Sequence, residues 1–294
     1  MFMFAFEALG TRWEIETSEP LDPQVQQRIH ERTQAFDATY SRFRPDSLVS
    51  QLNAAPDGGR FDFPDDATHL FDLYDRLHAL TGGAVDPLVG RDLERLGYDR
   101  TYSLTPVSDP VGDAAQAVGR PSWSGDILRD GPSLVTRQPL VIDLGAAGKG
   151  YLVDLLSELL RGAGFTEFVV DGSGDLRHEG ASGLQVGLEH PFDPRLVIGV
   201  ANVRGRALCA SAVNRRAWGD GLHHVLDART GIPVQGVVAT WVIADEAATA
   251  DGLATALFFT GADRLAEGFQ FSSVRMWGDG RAEVSGNFDG ELFT

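Results

Sequence analysis

Cysteine is almost missing from this 294-residue chain: Cys209 stands alone, so no internal disulfide can form and nothing asks for an oxidising compartment. Long apolar runs are missing as well, since stretches such as 237–244 fall far below the roughly 18 residues of a membrane span. Positive charge is scarce. Lys and Arg number 25 against 42 Asp and Glu, a formal charge of −17, which argues against a nucleic-acid or anionic-lipid partner and means that an anionic ligand needs local help. No Pro- or Ser-rich linker, low-complexity block or fixed-period repeat breaks the sequence, so one domain over residues 1–294 is expected. Residues 1–6 are apolar but carry no basic leader and reach Glu7 too early for a signal-peptide core. The expectation is a cytoplasmic protein, or an exported one if a leader is missing from this sequence.

With 43% hydrophobic and 23% charged residues, the composition is that of an ordinary globular protein. Residues 2–17 alternate apolar and polar well enough for one long strand, and Asp22-Pro23 reads as a helix cap with proline at the first helical position. Val25, Ile29, Phe36 and Tyr40 form one helical stripe; Leu70, Tyr74 and Leu77 form another, ending at Gly82-Gly83. Residues 100–135, polar and rich in Pro and Gly, predict irregular connections with short pieces of structure. Beyond them the pattern predicts a buried strand at 139–143, a helix over 151–161, a strand at 167–170 and a hairpin at 184–203. A strand at 237–244, a helix at 247–260 and a hairpin turning at 278–280 complete it. Hairpins alternating with helices, with few βαβ units, give the α+β class: a mixed, largely antiparallel sheet with flanking helices.

The segment 143–150, Asp-Leu-Gly-Ala-Ala-Gly-Lys-Gly, joins a strand to a helix through glycines and Lys149, an arrangement that lets backbone amides approach a phosphate. It is not a Walker A loop, because Gly150 stands where Ser or Thr would bind magnesium, and a plain tight turn is the competing reading. Asp251 and Thr255 lie four apart, so a helix sets both oxygens on one face, which suits a hard cation; a solvated helix start is the alternative. Residues 223–231 gather His224, Asp227 and Arg229 before a turn, but adjacent His223 and His224 diverge and are poor zinc ligands. Residues 171–175, Asp-Gly-Ser-Gly-Asp, form a turn with two carboxylates but fail as a calcium loop and as a nucleophile elbow.

In order along the chain, Leu9-Gly-Thr11 with Trp13, residues 41–47 with Leu52-Asn53, and residues 85–90 with Leu96-Gly97 resemble the ApbE family of FAD:protein FMN transferases. The likeness continues through 143–151 with Asp154, then 171–177, 224–231 and 250–257, and so spans most of the chain. It implies a magnesium-dependent transfer of FMN from FAD to a Thr or Ser hydroxyl of an acceptor protein, with release of AMP. The implied acceptor motif resembles Asp-Gly-x-Ser/Thr-Gly-Ala-Ser/Thr, which this chain lacks, so modification in trans is expected.

By the same resemblance, Asp251, Thr255 and the carbonyl of Gly148 would ligate Mg2+, Lys149 would sit near phosphate, and His224 would position or accept the hydroxyl proton. Leu9, Gly10, Thr11, Phe43, Ser47 and Asp86 would line the flavin or adenine portions, with Phe43 free to stack on a ring. Gly145 and Asp175 complete the implied FAD contacts, and Asp227 and Arg229 would order the His224 loop beside them. Ser173 stands where the family has a glycine. Two alternatives use the same residues: attack by water, giving an FAD pyrophosphatase, and flavin binding without turnover.

Overall fold

The structure, a computed structural model, describes residues 1–107 and 119–293. The expectation of irregular structure over 100–135 therefore falls partly outside the described residues.

The chain opens as a hairpin: β1 (Phe2–Ala8) and β2 (Thr11–Thr17) pair from Phe2↔Thr17 to Ala8↔Thr11. This corrects the single long strand read from alternation. Leu9 and Gly10 turn the chain with φ of 51° and 71°, and a leucine gives no warning of a left-handed turn position. Helix α1 (Pro23–Tyr40) starts as expected, Asp22 accepting the Gln24 amide at 2.7 Å, and buries Ile29, Phe36 and Tyr40. Next come α2 (Leu48–Ala54), β3 (Gly59–Asp62) and α3 (Ala67–Leu80), the last burying Leu70, Tyr74 and Leu77. Short helices α4 (Gly90–Arg95) and α5 (Trp123–Asp126) and the hairpin β4 (Leu128–Asp130), β5 (Ser133–Thr136) follow.

Residues 139–143 are buried but join no ladder, correcting the predicted strand: the Asp143 amide bonds Pro87 O at 2.8 Å, and a side chain at Gly90 would collide with Val141 O at 2.7 Å. The segment lies against loop and helix instead of a sheet. Then α6 (Gly148–Gly162) leads to β6 (Phe168–Asp171) and β7 (Asp175–Glu179). Strands β8 (Leu184–Glu189), β9 (Val197–Val203) and β10 (Ala207–Ala212) precede two two-residue pairs, β11 (Ala217–Trp218) with β12 (Leu222–His223) and β13 (Leu226–Asp227) with β14 (Ile232–Pro233). The chain ends with β15 (Val237–Ala244), α7 (Ala247–Ala256), α8 (Ala262–Ala266), β16 (Ser272–Trp277), β17 (Ala282–Val284) and β18 (Gly290–Leu292).

The main sheet runs β1-β2-β6-β7-β10-β15-β16-β17, and each of its ladders is antiparallel. The α+β expectation holds. Because side chains alternate across a strand, Cys209 and Val242 join the core under the helices, whereas Leu208 and Ile243 face a small sheet, β18-β9-β8.

Candidate functional site

The loop 143–150 and helix α7 come together because of one glycine. A Cβ on Gly150 would lie 2.2 Å from Ala247 O and 2.8 Å from Asp251 Cβ, so only glycine lets α6 start this close to α7. The contact is directional: Asp251 Oδ2 accepts the Gly150 amide at 3.0 Å. Asp154, nearly two turns into α6, accepts from the Ala247 and Ala248 amides at 2.9 and 2.8 Å and so caps α7.

Asp251 is not at a solvated helix start. It lies one turn inside α7 and is 3% exposed. Burial, and then the charge of Asp175, push its carboxyl well above the usual carboxylate range. Thr255, one turn on, has its hydroxyl 3.4 Å from Ala146 O. A carboxylate, a hydroxyl and backbone carbonyls form a hard-oxygen donor set of the kind magnesium takes, and a dication would stabilise a carboxylate that the protein alone disfavours. The donors present thus fit the ion. The carbonyl beside Thr255 is that of Ala146, two residues before the expected Gly148, although Gly148 lines the same cavity. Among the described residues no cluster of three or more His, Cys, Asp or Glu is gathered, so the remaining positions would fall to phosphate oxygens and water, as is usual for magnesium.

Lys149, the only lysine in the chain, is held by Asp175, itself fully buried. Burial pulls the ammonium pKa down, but Asp175 and Asp251 more than offset this and hold it above its ordinary value. Lys149 lines the cavity as one half of an ion pair; Asp175, the other half, lies behind it and does not line the cavity. The turn between β6 and β7 does reach the cavity through Ser173 and Gly174. Ser173 has φ 59° and donates to Arg12 O at 2.7 Å, a left-handed position at which glycine is the easier residue.

These elements border a cavity of about 750 Å3, a size usual for small-molecule and cofactor sites. Leu9, Gly10, Thr11, Phe43, Asp86, Gly145, Gly148, Lys149, His224, Asp251 and Thr255 all line it. Ser47, Asp175, Asp227 and Arg229 do not. Ser47 is fully buried and caps α2, accepting the Ser50 amide at 3.2 Å; a hydroxyl committed to a helix end has no ligand to meet. Asp227 and Arg229 grip each other, with Nε to Oδ1 at 2.9 Å, and fix the loop after His224.

Phe43 is not free to stack. Tyr102 lies parallel to it at 5.1 Å and 4°, Tyr98 meets its edge at 5.5 Å, and the Arg42 guanidinium carbon sits 4.2 Å from its centroid. Tyr102, 51% exposed, is the outer ring of this wall. Asp86 accepts the Leu88 and Trp123 amides at 2.8 and 2.9 Å, and its Oδ2 is 3.3 Å from His78 Nε2, so it braces the cavity wall as well as lining it.

His224 is half-buried. Burial, then the neighbouring Arg216 guanidinium, push the imidazole down to about 3, so the ring is neutral near pH 7. Nδ1 lies 3.4 Å from Arg216 O, and a carbonyl can only accept, so Nδ1 carries the proton and Nε2 keeps its lone pair. The site therefore juxtaposes a neutral imidazole with a free lone pair, a carboxylate and hydroxyl that suit a cation, and a glycine-rich helix start. Sequence reasoning missed Arg42, which pairs with Asp143, and Arg216. The Arg215-Arg216 doublet, the only one in a strongly acidic chain, was the available signal for the second.

Known proteins resemble this chain in sequence and fold. The model of the ApbE family matches residues 9–274. A FAD:protein FMN transferase from Rhodobacter capsulatus is 30% identical over 87% of this chain, and the chain spans about half (51%) of that relative's length. One from Klebsiella pneumoniae is 26% identical, with 88% of this chain and 78% of the relative covered. Among solved structures, the flavin transferase ApbE from Vibrio cholerae superposes with a TM-score of 0.83 at 24% identity, and the ApbE protein from Thermotoga maritima with 0.84 at 24%, each covering 97% of both chains. This chain belongs to the ApbE family.

Proposed function

We propose that this chain is a magnesium-dependent FAD:protein FMN transferase that moves FMN from FAD to a Thr or Ser hydroxyl of an acceptor protein and releases AMP. The observation that carries the reading is the meeting of the 143–150 loop with Asp251 and Thr255 in one cavity, with His224 on its wall. The names of the relatives support the same chemistry.

In this reading the acceptor oxygen forms a bond to the FMN phosphorus while the P–O bond to AMP breaks in line with it, and AMP departs as the phosphate. His224 Nε2, a weak base with its pKa at about 3, orients the hydroxyl by accepting its hydrogen bond and takes the proton only as bond formation to phosphorus makes that hydroxyl strongly acidic, its ring held in the required tautomer by Arg216 O. Asp251, Thr255 and the adjacent carbonyls would hold Mg2+, which would withdraw charge from the phosphates. Gly145 and Gly148 leave room for backbone to approach the pyrophosphate. Lys149 keeps Asp175 neutralised beside Asp251, so that a second buried carboxylate does not repel the substrate.

The test is product analysis by chromatography after incubation with FAD and Mg2+, with and without an acceptor-motif peptide and EDTA. AMP release that requires both peptide and metal is the expected result. AMP and free FMN formed at full rate without peptide would make the chain a pyrophosphatase, and FAD left intact would make it a flavin-binding protein.

A further inference from the structure

The cavity presents one cationic side chain with no ion-pair partner among the described residues. Arg42, Arg44, Lys149, Arg215 and Arg216 border it. Arg42 pairs with Asp143, Arg44 with Asp46 at 2.7 Å and Asp37 at 3.2 Å, Lys149 with Asp175, and Arg215 with Glu189 at 3.0 Å. Among the described residues Arg216 has no carboxylate within ion-pair distance.

Its placement is not that of a loose surface arginine. Arg216 ends the single turn Val213–Arg216 that follows β10, and its carbonyl meets both the His224 amide at 3.3 Å and His224 Nδ1 at 3.4 Å. The guanidinium carbon stands 5.9 Å from the centroid of Tyr98, which lines the cavity. Its charge is also felt by Asp143, His224 and Asp251, all three on the cavity wall. In a chain of net charge −17, an unpaired guanidinium among such groups is the local help that an anionic ligand needs.

We infer that Arg216 is a specificity-determining anion ligand of this cavity, its guanidinium gripping the pyrophosphate of the bound dinucleotide through charge-assisted hydrogen bonds. The identity of the ligand rests on the FMN-transfer reading. Arg216, not Lys149, is then the side chain that meets phosphate directly. A planar fork of donors suits two phosphate oxygens better than an ammonium does.

The experiment titrates wild type, Arg216→Ala and Arg216→Lys with FAD and with riboflavin, which has no phosphate, following flavin fluorescence at low and high salt. Arg216→Ala should weaken FAD binding about 10- to 100-fold and flatten its salt dependence while leaving riboflavin binding unchanged. Arg216→Lys should recover part of the loss. Unchanged FAD binding in Arg216→Ala overturns the inference, and so does an equal loss for FAD and riboflavin, which would make Arg216 a wall residue. Since the side chain is exposed, melting temperatures of the variants serve as the check on folding. Wild-type protein that transfers FMN with no Arg216 effect overturns the inference alone. An Arg216 effect on FAD binding without any transfer overturns the transfer reading alone.

Discussion

On strand β10, Cys209 packs under the helices and Leu208 packs against the small sheet, and this alternation divides the molecule into two unlike halves. The helical half buries charge: Asp175 with Lys149, Asp143 with Arg42, and Asp251 with a backbone amide. The other half sets Leu176, Leu208, Ile243 and Val274 against Leu188, Ala201 and Val203. Buried charge costs stability unless something compensates it, whereas buried aliphatic surface contributes stability directly. The chemistry and the stability of this protein should therefore respond to different substitutions.

The largest separation is expected at Asp251. Burial and the charge of Asp175 disfavour the charged form of this carboxyl in the ligand-free protein, and Asn is its uncharged isostere. Asp251→Asn should keep the melting temperature and lower turnover by at least about 1,000-fold, on the order of 4 kcal/mol of transition-state stabilisation. Steady-state rates and calorimetry check the pair of outcomes, and a variant that melts early but turns over normally would merge the two halves.

The reverse case is Leu188→Ala. Leu188 is fully buried in the second core, on β8. Its truncation should cost about 2–5 kcal/mol in denaturant unfolding and leave kcat at low temperature near wild type.

Asp154 sharpens the comparison within the helical half. Burial raises it to about 6 from 3.8, although the Ala247 and Ala248 amides favour its charged form. Between those values the folded chain holds a proton that the unfolded chain has released, so this group's contribution falls as pH rises from about 4 to about 6. The loss is on the order of 2–3 kcal/mol. Asp154→Asn keeps only one of the two cap acceptors, a loss that does not vary with pH, and should remove the titrating component, which is read as the difference in slope between the two unfolding free-energy profiles against pH.

What the sequence disclosed, and what it hid, follows range of interaction. The Asp251/Thr255 spacing, the 143–150 loop and the Asp22 cap are local patterns and were legible. The break at Leu9-Gly10 was not, because a leucine with φ 51° is set by the hairpin around it. Residues 139–143 read as a strand because apolar runs look alike whether they join a ladder or lie against a helix. That Asp175 holds Lys149 was not legible, because the two partners lie 26 residues apart. The Ser47 cap on α2 and the Tyr102 ring stacked on Phe43 were likewise not legible, because each depends on the folded surroundings of the motif.

The most direct test of the central claim is intact-mass measurement of an acceptor-motif peptide after incubation with FAD, Mg2+ and either wild-type protein or Asp251→Asn. The account predicts that wild type adds one FMN phosphoester to the peptide and that Asp251→Asn, folded, adds none. A peptide left unmodified by wild type, or modified equally by both proteins, would contradict it.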